Sequence, residues 1–182
     1  MPDYEIIENG KQLLKSKTNI GPIVTKAISN GIYEQVENHR FYSYTELVDD
    51  RFYEKNKNNI FFPSLITGLV EKDVEIRTFY IDGHFFSMAI FSQSSEKTKI
   101  DFRKYGNNRN EPYKLPNEIE DKLRKVFNEL ELNCGSIDLI LDKDGNYVFL
   151  EINPVGQFGM TSEPCNYNLE EIVVKYLTHG RI

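Results

Sequence analysis

The chain contains no tryptophan, three histidines and only two cysteines in 182 residues. Cys134 and Cys165 lack the close spacing of a zinc site, so a structural metal knot is not expected. Both read as reduced thiols, with a disulfide between them left open. His39, His84 and His179 do not neighbour a serine or cysteine in a nucleophile motif, so each reads as a surface or hairpin residue. No apolar run approaches a membrane span. The N-terminal MPDYEIIENGKQLLKSK lacks the apolar core of a signal peptide, which points to the cytoplasm. Positive charge is also short: 22 Lys and Arg stand against 28 Asp and Glu, a net charge of −6. Nucleic acid is therefore not the expected partner, because phosphate contacts need a basic face. Neither GxxxxGK[ST] nor GxGxxG occurs, which excludes the P-loop and Rossmann fingerprints.

What is present is a globular composition, 40% hydrophobic and 13% aromatic. The length suits one domain or two small subdomains. A short helix is expected over 10–17, an alternating strand over 22–28, a turn at 29–31 and a second strand over 41–47. A further short strand is expected after Pro63. Val74–Ile81 and His84–Phe91 flank Asp82-Gly83, a strong hairpin signal. Residues 92–115 are polar and read as a loop or lid. Ile119, Leu123, Val126, Phe127 and Leu130 fall on one helical stripe, with Asn117 expected as N-cap after Pro116. A last helix is expected around 168–177. Hairpins dominate this order, which indicates an α+β fold.

The most informative segment is DLILDKDGNYVFLEINPVGQFG, residues 138–159. With Asp144-Gly145 as a two-residue turn, Asp138 falls opposite Glu151, and Asn153 points to the same face. Facing carboxylates repel each other, and a divalent cation removes that penalty. Two carboxylates and an amide oxygen are hard donors, suited to Mg²⁺ or Mn²⁺. The other face, Leu139, Leu141, Val148, Leu150 and Ile152, is expected to be the core side. Three weaker signals accompany it. Lys26 ends a strand just before a glycine-containing turn and could reach a phosphate. LITGLVEKDVEIR (65–77) offers an apolar backbone, then Glu71, then Glu75 and Arg77 on one strand face, suited to a nucleotide or otherwise to a surface ion pair. KIDFR (99–103), with Tyr105, could read polar groups of a substrate through Asp101 and Arg103.

In this order, a strand lysine, a hinge with Glu, an EIR strand, a charged loop and then D…E-x-N, the chain resembles the ATP-grasp superfamily from residue 3 to 177. EINPVGQF, KIDFR, NEPYKLP, CGSIDLI and EPCNYNLEEIVVKYL resemble the graspetide ligases, peptide maturases related to microviridin ligases, and among them the grasp-with-spasm type. The resemblance implies a small subdomain over 1–65, a larger one over 66–182, antiparallel sheets and an interdomain nucleotide cleft. It implies that Lys26 contacts ATP phosphates and that Gly68, Leu69, Val70 and Glu71 line the adenine. Glu75 would bind ribose, Asp138, Glu151 and Asn153 would hold magnesium, and Arg77 and Arg103 would steady the γ-phosphate or acyl phosphate. The implied activity is ATP-dependent ester or amide formation between side chains of a ribosomally made precursor peptide, leader and core. Such ligases carry a further α/β domain and another nucleotide-binding lysine before the core; this chain is expected to lack both, and another chain could supply them. Homo-oligomerisation is open. Two rival readings stand beside this one: a carboxylate–amine ligase that adds an amino acid, and a non-catalytic module that binds peptide or nucleotide.

Overall fold

The structure is a computed structural model; it describes residues 1–28, 33–37, 39–104 and 107–182, without the side chains of 33–36 and 39–42. The expected turn at 29–31, Tyr105 and the side chain of His39 lie outside the described residues. The fold is α+β, and the chain forms two compact units: Met1–Val70 with Ser95–Gly106, and Glu71–Ser94 with Asn107–Ile182.

The first unit opens with β1 (Tyr4–Asn9) and α1 (Gly10–Ile20), then β2 (Ile23–Lys26), β3 (Tyr33–Val36), β4 (His39–Tyr42), β5 (Glu46–Leu47), α2 (Asp50–Asn56) and β6 (Ile60–Gly68). Its sheet runs β1-β6-β2-β5, and β3 and β4 pair separately. Asn9 starts α1 by accepting the Gln12 amide at 3.0 Å, and Asp49 starts α2 by accepting the Phe52 amide at 2.7 Å. Ile7, Leu13, Ile23, Val48 and Ile66 form the core. The strand expected over 41–47 is split between β4 and β5, and β6 runs through Pro63 instead of starting after it. The β1–β6 register shifts between Ile7 and Asn9, and the β2 partners of β6 begin only at Leu65, so no ladder bond needs an amide at Pro63.

Asp101 ties Ser95–Gly106 into this unit. Its carboxylate, 4% exposed, accepts the Thr45 amide at 2.8 Å, the Arg103 amide at 3.0 Å and two bonds from the Arg103 guanidinium. Burial alone would raise its pKa; the guanidinium and the two amides outweigh burial and hold it below the usual carboxylate range.

The second unit comprises β7 (Lys72–Ile81), β8 (His84–Phe91), β9 (Arg109–Tyr113), α3 (Asn117–Glu129), β10 (Cys134–Asp142), β11 (Tyr147–Asn153), α4 (Gly159–Cys165) and α5 (Leu169–His179). Its sheet runs β11-β10-β7-β8-β9 and is antiparallel throughout. The β7–β8 turn is the expected two-residue hairpin: Ile81 pairs with His84, and Asp82 and Gly83 take φ of 47° and 85°. Part of the expected loop over 92–115 is strand instead: β9 pairs with β8 as an edge strand and so tolerates Pro112. Pro116, not Asn117, is the N-cap of α3. Leu123 and Phe127 of α3 are buried against Val74, Ile76, Tyr80, Ala89, Ile137 and Leu139, whereas Val126 and Leu130 are exposed. On the opposite face Phe79 and Ile81 pack with Leu169 near α4 and α5. The rest of that face carries the candidate site. Cys134 and Cys165 are free thiols, and among the described residues no helix is long and apolar enough to cross a membrane.

Two outcomes test this description. The folded-state pKa of Asp101 lies below its unfolded value, so its contribution is complete above about pH 4 and is lost as pH falls through the folded value. Asp101→Asn should therefore lower stability by about 2 kcal/mol near neutrality. That difference should vanish at the acid end of a series of thermal melts. Gly135→Ala would set a Cβ 3.1 Å from both the Asn153 carbonyl oxygen and Phe127 Cε1. It should cost about 1–3 kcal/mol in chemical denaturation.

Candidate functional site

The register of β10 and β11 places the first groups. Asp138 pairs directly with Glu151, and Ser136 with Asn153, so all four share one face. The expected pairing is thus observed, but two offsets produce it instead of a two-residue turn. The loop spans Lys143, Asp144 and Gly145, closed by Asp142 donating its amide to the Asn146 carbonyl at 3.0 Å. Gly145 has φ of 84°, the left-handed position of a three-residue hairpin loop. Asp142 Oδ1 stabilises the loop by accepting the Asp144 and Asn146 amides at 3.0 and 2.7 Å. This loop pairs Leu139 with Phe149 and Leu141 with Tyr147. A one-residue bulge at Leu150 then shifts the count and returns Glu151 to Asp138.

The same bulge corrects the expected core face. Tyr147, Phe149 and Ile152 pack on the core with Leu139 and Leu141; Val148 and Leu150 do not. Val148 pairs with Ile140 on the site face, and Leu150 is the unpaired residue.

β7 brings the remaining groups of this unit. Arg77 lies opposite Asp138, and Glu75 opposite Ile140. Arg77 is 7% exposed. It reaches Asp138 at 3.3 and 3.4 Å and Gln157 at 3.5 Å, all long for hydrogen bonds, and its buried Nε has no acceptor among the described residues. A buried guanidinium so loosely held is ready to take a further anion. Ser136 Oγ and Asn110 Oδ1, on the same face, are also buried without a partner among the described residues. Glu75 and Arg77 do not form the surface ion pair allowed by their spacing. Glu75 pairs instead with Lys72 at 2.7 Å and accepts the Ser92 hydroxyl at 2.7 Å. Lys72 and Ser92 were not legible as site residues.

Asn153 Oδ1 accepts the Val155 amide at 3.1 Å, which identifies the oxygen end of the amide and leaves it a second lone pair. Gly156 follows with φ of 63°, and a Cβ there would lie 3.0 Å from Phe79, so this turn depends on glycine. Among the described residues no group of three or more His, Cys, Asp or Glu could hold a metal. Two carboxylates and one amide are too few for an all-protein cage. They fit magnesium, which keeps waters and takes phosphate oxygens as its other ligands.

The other expected residues fall as follows. Glu71 is exposed and pairs with Lys143 at 2.9 Å, a contact that solvent weakens. In the first unit, Lys26 is half-buried and pairs in register with Leu65. Gly68 and Leu69 were expected to offer free backbone groups. Their amides are already given to Asp3 and Pro22 at 2.9 and 2.8 Å. Val70 closes this unit, half-buried. Asp101 is not available to a substrate, because burial and four hydrogen bonds commit it to Thr45 and Arg103. Arg103 itself is half-exposed.

No protein-family model matches the chain, and no curated protein sequence is similar to it. Solved structures are similar. A RiPP-associated ATP-grasp ligase of Chryseobacterium gregarium, in complex with ADP and a leader and core peptide, superposes with a TM-score of 0.78 at 24% identity, covering 87% of this chain and 48% of that one. The macrocyclase MdnC of Microcystis aeruginosa MRC, bound with precursor peptide MdnA, gives 0.79 at 26% identity, covering 98% and 54%. The ATP-grasp ligase PsnB, complexed with a phosphomimetic variant of its minimal precursor, Mg and ADP, gives 0.67 at 17% identity, covering 91% and 49%. The chain therefore spans about half the length of the structures it matches. In fold, this chain is similar to about half of an ATP-grasp ligase and of a macrocyclase that were solved with a leader and core peptide or a precursor peptide.

Proposed function

We propose that the chain is the ATP-grasp core of a ligase that activates a side-chain carboxylate of a ribosomally made precursor peptide and joins it to a Ser, Thr or Lys side chain. The observation that carries this reading is Asp138 facing Glu151 in register, with Asn153 beside them and a buried, loosely paired Arg77 across the same sheet. Hydrophobic packing does not require two facing acids on an open sheet face. Similarity to peptide-bound ligases supports the substrate class.

The chemistry asks for positioning and charge neutralisation, which suits a site without a Ser-His or Cys-His pair. A peptide carboxylate oxygen attacks the γ-phosphorus of ATP, and the bond to ADP breaks. The acyl phosphate is then attacked at its carbonyl carbon by a hydroxyl or amine. Phosphate leaves, the nucleophile gives up its proton, and an ester or amide remains. Arg77 holds an oxyanion of the phosphate or acyl phosphate through its buried guanidinium, and Arg103 is assigned a second such contact. Lys26 pairs with the phosphate tail, residues 68–71 line the adenine, and Glu75 accepts ribose hydroxyls. Magnesium, held by Asp138, Glu151 and Asn153, would neutralise phosphate charge as a Lewis acid. The compartment in this reading is the cytoplasm, where ATP and reduced thiols are found.

Two measurements test it. Glu151→Gln removes charge with little change in volume, so magnesium-dependent ADP release should drop at least a hundredfold with the melting temperature within a few degrees of wild type. Wild-type turnover by the folded variant would sink the metal assignment. Lys26→Ala should weaken ATP binding about tenfold in titration calorimetry. Unchanged affinity would make Lys26 a surface lysine. In both assays the mass of the peptide product distinguishes loss of water on cyclisation from the gain of an amino acid.

A further inference from the structure

Glu75 is held in an unusual way. Strict alternation along β7 would put Lys72, three residues before Glu75, on the other face of the sheet. The register with β10 breaks here: Leu141 pairs with Val74, but Asp142 pairs with Lys72, so Asp73 is an extra residue. The bulge turns Lys72 back onto the face of Glu75. The ammonium, on a side chain only 6% exposed, meets Glu75 Oε1 at 2.7 Å. On the other side Ser92, fully buried just beyond β8, donates its hydroxyl to the same oxygen at 2.7 Å. Ser92 reaches Glu75 because Ile90, two residues earlier, is its register partner. Gln93 Nε2 in turn donates to Ser92 Oγ at 3.3 Å.

Two donors, one from β7 and one from just beyond β8, thus fix one oxygen of a carboxylate on the site face. The other oxygen is not among the buried unpartnered atoms and stays accessible. A carboxylate anchored in this manner cannot rotate, and it presents one charged acceptor in a set direction. Its complement is a pair of hydroxyl donors, not an anion. The geometry points to Lys72 and Ser92 as positioning residues that aim Glu75 at the ribose hydroxyls of the nucleotide. This inference rests on the nucleotide reading above and adds the residues that decide between ribose and deoxyribose.

The test is the binding of magnesium-ATP, 2′-deoxy-ATP and 3′-deoxy-ATP to the full chain by titration calorimetry. Wild type should prefer ATP to at least one deoxy analogue by about tenfold, the worth of a hydrogen bond to a charged acceptor. Glu75→Gln and Ser92→Ala should lose most of that preference, and Ser92→Thr, which restores the hydroxyl, should keep it. If Ser92→Ala does not fold by circular dichroism, Ser92→Cys keeps the volume, weakens the donor and reads the same ratio. Retention of the preference by Ser92→Ala (or its Cys substitute) or by Glu75→Gln overturns the assignment. Binding without preference in wild type overturns the ribose role while the nucleotide site stands. No binding of any of the three overturns the proposed function itself, and this inference with it.

Discussion

The juxtaposition of two carboxylates across β10 and β11 is the constraint around which the second unit is organised. Asp138 and Glu151 are held opposite one another by backbone hydrogen bonds, so neither can retreat far from the other's charge. Arg77 lies across the next strand from Asp138, at 3.3 Å, and its Nε has no acceptor among the described residues. In the proposed function the carboxylates take a metal ion and the guanidinium takes a phosphate oxygen.

The elements around this pair serve its placement. Phe127 and Leu123 anchor the far side of the sheet, which leaves the near side to polar groups. Gly135 lets β10 pass close to the Asn153 carbonyl, and Gly156 lets the chain turn beneath Phe79 directly after Asn153. Lys72 and Ser92 fix Glu75 one pleat further along β7. The groups they support, Asp138, Glu151, Asn153, Arg77 and Glu75, all lie on strands, and sites on strands hold their geometry better than sites on loops.

Several parts of this were legible along the chain. Asp82-Gly83 between two apolar runs specified a hairpin, and the hairpin formed with that turn, because a type I′ turn demands just those residues. The pairing of Asp138 with Glu151 was also legible, though through a simpler turn than the one adopted. A three-residue loop and the Leu150 bulge each displace the register by one, and the displacements cancel for the acids but not for Val148 and Leu150. The α3 stripe was legible at Leu123 and Phe127 and misleading at Val126 and Leu130, which periodicity places on the edge of the face and tertiary packing leaves in water. β9 was missed because its sequence, Arg109–Tyr113, has no apolar alternation; pairing with β8 alone makes it a strand.

Residue order alone was enough for the α+β class, the β7–β8 hairpin and the placing of Asp138, Glu151 and Asn153 on one strand face, because these follow from turn chemistry and two-residue periodicity. Long-range packing set which strands are neighbours and where the register slips. It therefore decided that Asp101 is spent on Thr45 and Arg103, that Arg77 meets Asp138 and not Glu75, and that Lys72 crosses to the face of Glu75. Bulges and strand order are set by the packing of the whole sheet, and no local pattern of residues carries that information.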